Sequence, residues 1–155
     1  MTKSCFFIGH RDANSSVLPL LIDSVEHHIS TYGVTDFFVG TYGNFDSMAA
    51  NAVQTAKQRH PEIRLFLVLP YHPAIRPIEV PKGFDDSYYP WTDEHIPKRL
   101  AIIKTNQRMV DTCDYLITYA FHFLGGTGQI VEYARKQELK GIIHVTNLSQ
   151  HTNAL

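Results

Sequence analysis

Hydrophobic residues along the chain follow two alternating patterns. Five short apolar runs, at positions 4–8, 36–40, 64–69, 115–119 and 141–145, are rich in aromatic and β-branched residues. Runs of this length and composition favour buried β-strands. Between most of them lie longer stretches in which apolar residues recur every three or four positions, as on one face of a helix. The pattern therefore predicts strands that alternate with helices.

Four helices are predicted from this spacing. The first begins near Val17, the second spans about 45–59, the third runs from Pro97 to about 112, and the fourth follows a glycine-rich loop at 125–128. Strands that alternate with helices predict an α/β fold with a doubly wound, mainly parallel five-stranded sheet and helices on both faces. Ligands of such sheets bind at the carboxyl ends of the strands, where the strand order reverses.

The length of 155 residues predicts a single domain that covers 1–155. Within it, the segment 72–96 is rich in proline and breaks the periodic pattern, so we expect an irregular insert there. This insert could be a lid, a covered sheet edge or an oligomer contact. The last ten residues, 146–155, are expected to form a loose tail.

The glycine-rich loop is the central feature of the pattern, because it joins the predicted strand 115–119 to a helix. Gly125, Gly126 and Gly128 let the backbone turn tightly and approach a ligand, with Thr127 between them. The helix that follows presents free N–H groups, which bind phosphate or carboxylate. Glu132 lies one turn into this helix and could face the same pocket. The alternative is a plain structural turn, with Glu132 complementing the helix dipole.

The loop after the first strand carries a second group of candidate residues, Gly9, His10 and Arg11. Arginine donates bidentate hydrogen bonds to phosphate, and histidine can act as a general acid or base near neutral pH. If the strands 4–8 and 115–119 are neighbours, this loop and the glycine-rich loop flank one crevice. The alternatives are a solvent-facing arginine and a structural histidine.

Further candidates follow the second strand and precede the fourth. Gly40 and Gly43 lie in a loop, and Asp46 at the next helix start could bond ribose hydroxyls or simply cap the helix. Asn106 and Arg108, on the third predicted helix, could reach the pocket or the sheet edge.

Composition and charge narrow the possible classes of function. The formal net charge of −1 gives no basic stripe, so direct nucleic-acid binding is expected to be unlikely. The two cysteines form no CxxC pair and the histidines show no ligand spacing, so no metal site is predicted. No stretch is long and apolar enough to span a membrane, and the start of the chain does not read as a signal peptide. A cytoplasmic location is therefore expected.

Several short motifs occur in an order that resembles the YpsA-like proteins of the SLOG superfamily, a Rossmann-like group that also contains DprA and the LOG-type proteins. The match extends from about residue 4 to 145 and rests on Gly9-His10-Arg11, Gly40-x-x-Gly43-x-Phe45-Asp46, Lys98-Arg99 with Asn106 and Met109-Val110-Asp111, Asp114-Tyr115-Leu116-Ile117, and Gly125-Gly126-Thr127.

The resemblance implies a domain that binds a nucleotide or nucleotide derivative, with phosphate at the glycine-rich loop. No resident cofactor is predicted. Its LOG-type members cleave the N-glycosidic bond of nucleoside monophosphates, and their glutamate falls on Glu132. Three hypotheses follow. The first is a binding or sensing module, the second a LOG-like hydrolase with Glu132 as the catalytic carboxylate, and the third a DprA-like accessory role linked to DNA. A homo-oligomer is expected, as in related folds.

Overall fold

The structure is a computed structural model that describes residues 2–92, 94–122 and 124–152. Its strands are β1 (Lys3–Gly9), β2 (Val34–Val39), β3 (Arg64–Val68), β4 (Asp86–Tyr88), β5 (Tyr115–Tyr119) and β6 (His144–Asn147). Its helices are α1 (Val17–Ser30), α2 (Asn44–Lys57), α3 (Ala101–Thr112), α4 (Gly125–Leu139) and the short α5 (Ser149–Thr152).

The strands form one sheet in the order β4-β3-β2-β1-β5-β6, and every neighbouring pair is parallel. The chain adds β2, β3 and β4 on one side of β1 and then crosses to add β5 and β6 on the other. The strand order therefore reverses between β1 and β5, which confirms that the strands predicted at 4–8 and 115–119 are neighbours. The doubly wound α/β fold is likewise confirmed.

Helices cover both faces of the sheet because successive side chains of each strand point to opposite sides. Cys5 and Phe7 of β1 belong to a buried cluster with the apolar residues of α1 and α2. Phe6, between them, belongs to a second buried cluster with Met109 of α3 and Ala134 of α4. The continuous apolar runs of the sequence are therefore strands that are buried on both faces.

The sheet has six strands rather than the predicted five, because β4 lies inside the segment 72–96. This strand has only three residues and pairs with β3 through Phe66↔Asp86 and its neighbours. It has no apolar alternation to signal it. Contacts with β3 and α2 hold this strand in place, since the carboxylate of the preceding Asp85 accepts a hydrogen bond from Leu65 N–H at 2.8 Å and also pairs with Lys57.

Residues 146–152 are also more ordered than predicted, because β6 extends to Asn147 and α5 follows it, whereas 153–155 of the predicted tail lie outside the described residues. The Asn147 side chain donates to the Ala120 carbonyl at 2.9 Å and accepts from Ala120 N–H at 3.2 Å. The Ser149 hydroxyl donates to the same carbonyl at 3.0 Å. These bonds tie residues predicted as a loose tail to the loop after β5.

The predicted third helix begins later than Pro97. A 3₁₀ turn occupies Lys98–Leu100, and the α-helix starts at Ala101. The insert is attached to this helix, since Trp91 Nε1–H donates to the Thr105 hydroxyl at 3.1 Å and the Arg108 guanidinium lies 5.3 Å from the centre of the Trp91 rings. Of the helices within the described residues, none is long and apolar enough to cross a membrane.

We predict that Gly9→Ala destabilises the fold, whereas Gly126→Ala does not. A Cβ at Gly9 would lie 2.4 Å from Cγ of Phe45, which is fully buried, whereas a Cβ at Gly126 meets nothing within 4 Å. Overpacking of this kind costs about 1–3 kcal/mol. Thermal unfolding should therefore show a melting temperature several degrees lower for Gly9→Ala alone. Equal melting temperatures for the two variants would contradict the packing at Gly9.

Candidate functional site

A cavity of about 390 Å³ lies at the carboxyl ends of β1, β2 and β3, beside the point where the strand order reverses. It is bounded by the residues after these strands, by one face of α3 and by the first turn of α4. The cavity therefore occupies the place where doubly wound sheets bind ligands. Its lining includes the following predicted site residues: Gly9, His10, Arg11, Gly40, Asp46, Asn106, Gly125, Gly126 and Thr127.

The parallel pairing of β1 with β5 brings the two predicted loops together. Gly9 is the register partner of Tyr119, so the two strands end at the same level. The Thr127 hydroxyl then donates to the Gly9 carbonyl at 3.2 Å. This bond holds the first turn of α4 against the end of β1.

The first turn of α4 has the features of an anion site. The helix starts with Gly125, which has a φ of 83°, and Leu124 at the N-cap offers no side-chain hydrogen bond. No acidic residue lies in the first turn to balance the positive end of the helix dipole. A Cβ at Gly125 or Gly126 would meet nothing within 4 Å, so the space in front of these residues is open. Unpaired backbone N–H groups of such a turn are hydrogen-bond donors for a ligand.

Arg11 supplies a full positive charge to the same cavity. Its side chain is exposed, and its guanidinium carbon lies 5.9 Å from the centre of the Tyr42 ring. Within the part of the chain that the structure describes, Arg11 has no salt bridge to a carboxylate. The loop that carries it is supported by Gly43, since a Cβ there would lie 2.7 Å from the Arg11 Cα. The guanidinium is therefore available to an anionic ligand.

Asp46 is the buried carboxylate of the cavity. Its side chain is 8% exposed, and its Oδ2 accepts a hydrogen bond from Tyr42 N–H at 2.9 Å. Burial raises the pKa of Asp46 to about 6, although the Tyr42 N–H and the charge of Arg11 act in the opposite direction. Gly40 leaves room for this carboxylate, because a Cβ there would lie 3.2 Å from Oδ2. Asp46 can accept hydrogen bonds from ligand hydroxyls, and its bond to the Tyr42 N–H holds the loop that precedes α2.

His10 is buried, and its Nε2 accepts a hydrogen bond from Phe121 N–H at 3.1 Å. Its ring stacks on His122, with 4.0 Å between ring centres. Burial and the neighbouring His122 lower the pKa of His10, although Asp12 acts in the opposite direction. A neutral His10 that accepts at Nε2 stabilises the loop after β5.

Other predicted site residues do not line the cavity. Glu132 is exposed on α4, and Gly128 is buried in its first turns. Arg108 stacks on Trp91, and Gly43 packs against the backbone of Arg11. These two support neighbouring parts of the site rather than its surface. Residues 2–92, 94–122 and 124–150 contain no group of three or more metal-ligating side chains close enough to hold an ion.

The sequence did not single out several residues that complete the site. These are Tyr42, Thr105 and Gln129 together with the apolar residues Ile8, Val68, Pro70, Ile102 and Ile130. Most lie within five residues after a predicted strand or on the face of α3 and α4 that meets the sheet. Their position after the strands could have indicated them, because the carboxyl ends of parallel strands meet at one edge of the sheet.

We predict that Asp46→Asn changes the pH dependence of stability. The pKa of Asp46 is higher in the fold than in the unfolded chain, so its contribution to stability is present below about pH 4 and is lost as pH rises through about 6. Between pH 4 and pH 8, the free energy of unfolding of the asparagine variant should therefore rise by roughly 2–3 kcal/mol relative to that of the wild type. Denaturant unfolding at several pH values measures this difference. A difference that stays constant with pH would contradict the buried, destabilised carboxylate.

Comparison with known proteins identifies the fold. No known protein-family profile matches the sequence, and no curated protein sequence is similar to it. The structure resembles DNA processing protein A (DprA) from Streptococcus pneumoniae, with a TM-score of 0.59 and 10% identity over 99% of this chain and 61% of that one. This chain therefore spans less than two thirds of the length of that DprA.

Two further structures are similar over more of their length. DprA from Helicobacter pylori, whose structure concerns its single-stranded DNA binding mode, has a TM-score of 0.55 and 13% identity over 98% of this chain and 79% of that one. The Moco carrier protein from Chlamydomonas reinhardtii has a TM-score of 0.54 and 13% identity over 99% of this chain and 95% of that one. The chain thus shares the Rossmann-like α/β fold of these structures.

Proposed function

We propose that the chain binds a nucleotide or nucleotide derivative in the crevice between β1 and β5, as a YpsA-like member of the SLOG superfamily. One observation carries this proposal. An uncapped helix N-terminus, with no acid in its first turn, meets a guanidinium without a salt bridge among the described residues in one cavity of about 390 Å³. Cavities of this volume are typical of small-molecule sites.

The phosphate would bind at the first turn of α4. Backbone N–H groups near Gly125 and Gly126 are donors there, and the helix dipole favours negative charge. Arg11 adds a planar, bidentate donor on the other side of the crevice. Asp46 is the acid in the lining of this cavity, and because it accepts the Tyr42 N–H, it does not compete as a capping group for α4.

The remainder of the cavity suits a ribose and a flat ring. Asp46 is a carboxylate that can accept hydrogen bonds from ribose hydroxyls. Ile8, Val68, Ile102 and Ile130 form apolar walls against which a base can pack. A mixed lining of apolar walls and a few polar groups is what binding sites for such ligands require.

The second candidate is an N-glycosidic hydrolase, as in LOG-type proteins. Glu132, the expected carboxylate, is exposed outside the cavity lining, so it is poorly placed to stabilise an oxocarbenium-like state there. Asp46 is the carboxylate that lines the cavity, and its raised pKa is a common property of catalytic acids. If the protein is a hydrolase, we propose Asp46 rather than Glu132 as the catalytic group.

A third candidate is binding of single-stranded DNA. The similarity of the fold to the two DprA structures supports this candidate. The same similarity does not support the expectation that direct nucleic-acid binding is unlikely. The net charge of −1 argues for the smaller ligand, since nucleic-acid affinity depends on many phosphate contacts. A homo-oligomer and a cytoplasmic location stay predictions.

We predict that Gly126→Asp abolishes nucleotide binding and that Gly126→Asn preserves most of it. Both side chains enter open space, so the fold should tolerate each, but only aspartate places a negative charge at the helix N-terminus. Thermal shift with AMP, GMP, UMP, ADP, ATP and a single-stranded oligonucleotide measures binding. A ligand at 100 times its dissociation constant stabilises the fold by about 2.7 kcal/mol.

The outcomes of this panel separate the three candidates. A rise in melting temperature with one nucleotide, lost in Gly126→Asp alone, supports the proposal. A flat response to every nucleotide contradicts it, and a rise with the oligonucleotide alone favours DNA. Free base assayed in the same samples tests the hydrolase, since release that survives Glu132→Ala but not Asp46→Asn would assign the carboxylate.

A further inference from the structure

A second cavity of about 210 Å³ adjoins the first and is formed in part by the start of the insert. It lies between the end of β3 and the residues that follow this strand, and it shares four lining residues with the larger cavity: Tyr42, Val68, Pro70 and Ile102. An apolar protein cavity of about 150 Å³ already binds benzene. The smaller cavity can therefore hold a separate, ring-sized molecule beside the contents of the larger one.

Arg76 is the one charged side chain among the described residues that line the smaller cavity. Its guanidinium carbon lies 4.3 Å from the centre of the Tyr71 ring. Within the described ranges, Arg76 has no salt bridge to a carboxylate. Stacking on a ring orients a guanidinium while its N–H groups stay free to donate. The cavity thus offers one unbalanced positive charge to a ligand.

A hydrogen-bonded turn holds Arg76 in this position. The His72 carbonyl accepts a hydrogen bond from Arg76 N–H at 3.0 Å, and the His72 Nδ1 accepts one from Ala74 N–H at 3.0 Å. The His72 ring also meets the Tyr89 ring edge-on, with 5.3 Å between the ring centres. Because Arg76 is positioned before a ligand arrives, less conformational entropy is lost on binding.

The rest of the smaller cavity is mostly apolar. Besides Arg76, the polar side chains of its lining within the described part of the chain are those of Thr41, Tyr42 and Tyr71. Burial raises the pKa of Tyr42 to about 12. Its hydroxyl is therefore protonated at neutral pH and can donate a hydrogen bond. The other walls are aliphatic side chains and a proline: Leu67, Val68, Leu69, Pro70, Ile78 and Ile102.

One cation among apolar walls matches a carboxylate better than a phosphate. A guanidinium balances the single negative charge of a carboxylate and can bind both of its oxygens. A phosphate monoester carries about −1.5 to −2 charge at neutral pH. Against Arg76 alone, part of that charge would stay uncompensated beside apolar side chains, which is unfavourable.

We propose that the smaller cavity binds a small monocarboxylate whose apolar body is about the size of one ring. The carboxylate pairs with Arg76, and the apolar body fills the space between the end of β3 and Ile78. This site does not depend on a nucleotide, because Tyr71, Arg76 and Ile78 line the smaller cavity and not the larger one.

The proposed site gives the start of the insert a role. The segment that supplies Tyr71, Arg76 and Ile78 follows β3, at the edge of the sheet where doubly wound folds bind ligands. Among the candidate roles of the insert, this arrangement favours a wall of a second ligand site. The chain would then hold two small molecules side by side at one edge of its sheet.

Titration with matched carboxylates and amides, followed by backbone amide shifts at constant ionic strength, tests this proposal. The pairs are benzoate with benzamide and phenylacetate with phenylacetamide, which differ in charge but hardly in size. The wild type should bind at least one carboxylate about tenfold more tightly than its amide, because the amide loses a charge-assisted hydrogen bond. Acetate, which lacks the apolar body, should bind at least about tenfold more weakly than that carboxylate.

Three arginine variants locate the carboxylate. Arg76→Gln removes the charge and should weaken carboxylate binding about tenfold, while amide affinity changes by less than about twofold. Arg11→Gln removes the cation of the larger cavity, so it reports whether the carboxylate binds there instead. Arg64→Gln is the matched control, since Arg64 also stacks on an aromatic ring, at 5.0 Å from the centre of Phe66, but lines neither cavity.

The outcomes test the smaller cavity separately from the proposed function. A preference for the carboxylate that Arg76→Gln removes and Arg64→Gln retains supports the second site. If neither carboxylate binds, or neither binds more tightly than its amide, the proposal is overturned. A loss of affinity in Arg11→Gln as large as in Arg76→Gln would place the anion in the larger cavity and would also overturn it. None of these results depends on whether a nucleotide binds.

Discussion

The parallel pairing of β1 with β5 is the constraint on which the rest of the site depends. Their register places Gly9 beside Tyr119, and the His10 N–H extends the pairing by donating to the Tyr119 carbonyl at 3.2 Å. From this common level, one strand leads to helices on one face of the sheet and the other to α4 on the opposite face. The segments that follow β1 and β5 must therefore diverge, and the crevice is the space between them.

The chemistry of the crevice follows from this divergence. The start of α4 is held to the end of β1 by the Thr127 hydroxyl, so its backbone donors cannot turn away from the sheet. Asp46 is buried at the opposite wall, where its raised pKa indicates that its charge costs stability in the folded chain. Destabilising groups that persist in this way are typical of functional sites. Binding of a ligand that donates hydrogen bonds to this carboxylate would offset that cost.

Much of the fold could be predicted from the sequence because the strands of this sheet are buried on both faces. Their short apolar runs and the glycines at their ends mark each element, and alternation with helices determines the topology. Strand β4 could not be predicted, since Asp86–Tyr88 has no apolar run and depends on pairing with β3 and on the Asp85 carboxylate. The order of residues 146–152 depends in the same way on distant bonds from Asn147 and Ser149 to Ala120.

Candidate site residues that directly follow a strand could be predicted from the sequence. Residues whose place in the site depends on the direction of the side chain could not. Arg11 and Gly126 line the cavity because their loops follow β1 and β5. Glu132 was placed near the pocket by its spacing and by the resemblance to LOG-type proteins, but it is exposed on α4 and does not line the cavity. His122 shows no ligand spacing in the sequence, yet it stacks on His10 because both follow paired strands. The positions of Tyr42 and Arg76 depend on the path of irregular segments, which the spacing of hydrophobic residues does not predict.

The most direct test of nucleotide binding at this crevice is a titration followed residue by residue by nuclear magnetic resonance. Isotope-labelled protein is titrated with nucleoside monophosphates, and the backbone amide shifts are recorded. We expect the largest changes at Arg11, Gly40, Asp46 and Gly126, which line one cavity but lie far apart in sequence. Changes confined to other surfaces, or no change with any nucleotide, would contradict a nucleotide site between β1 and β5.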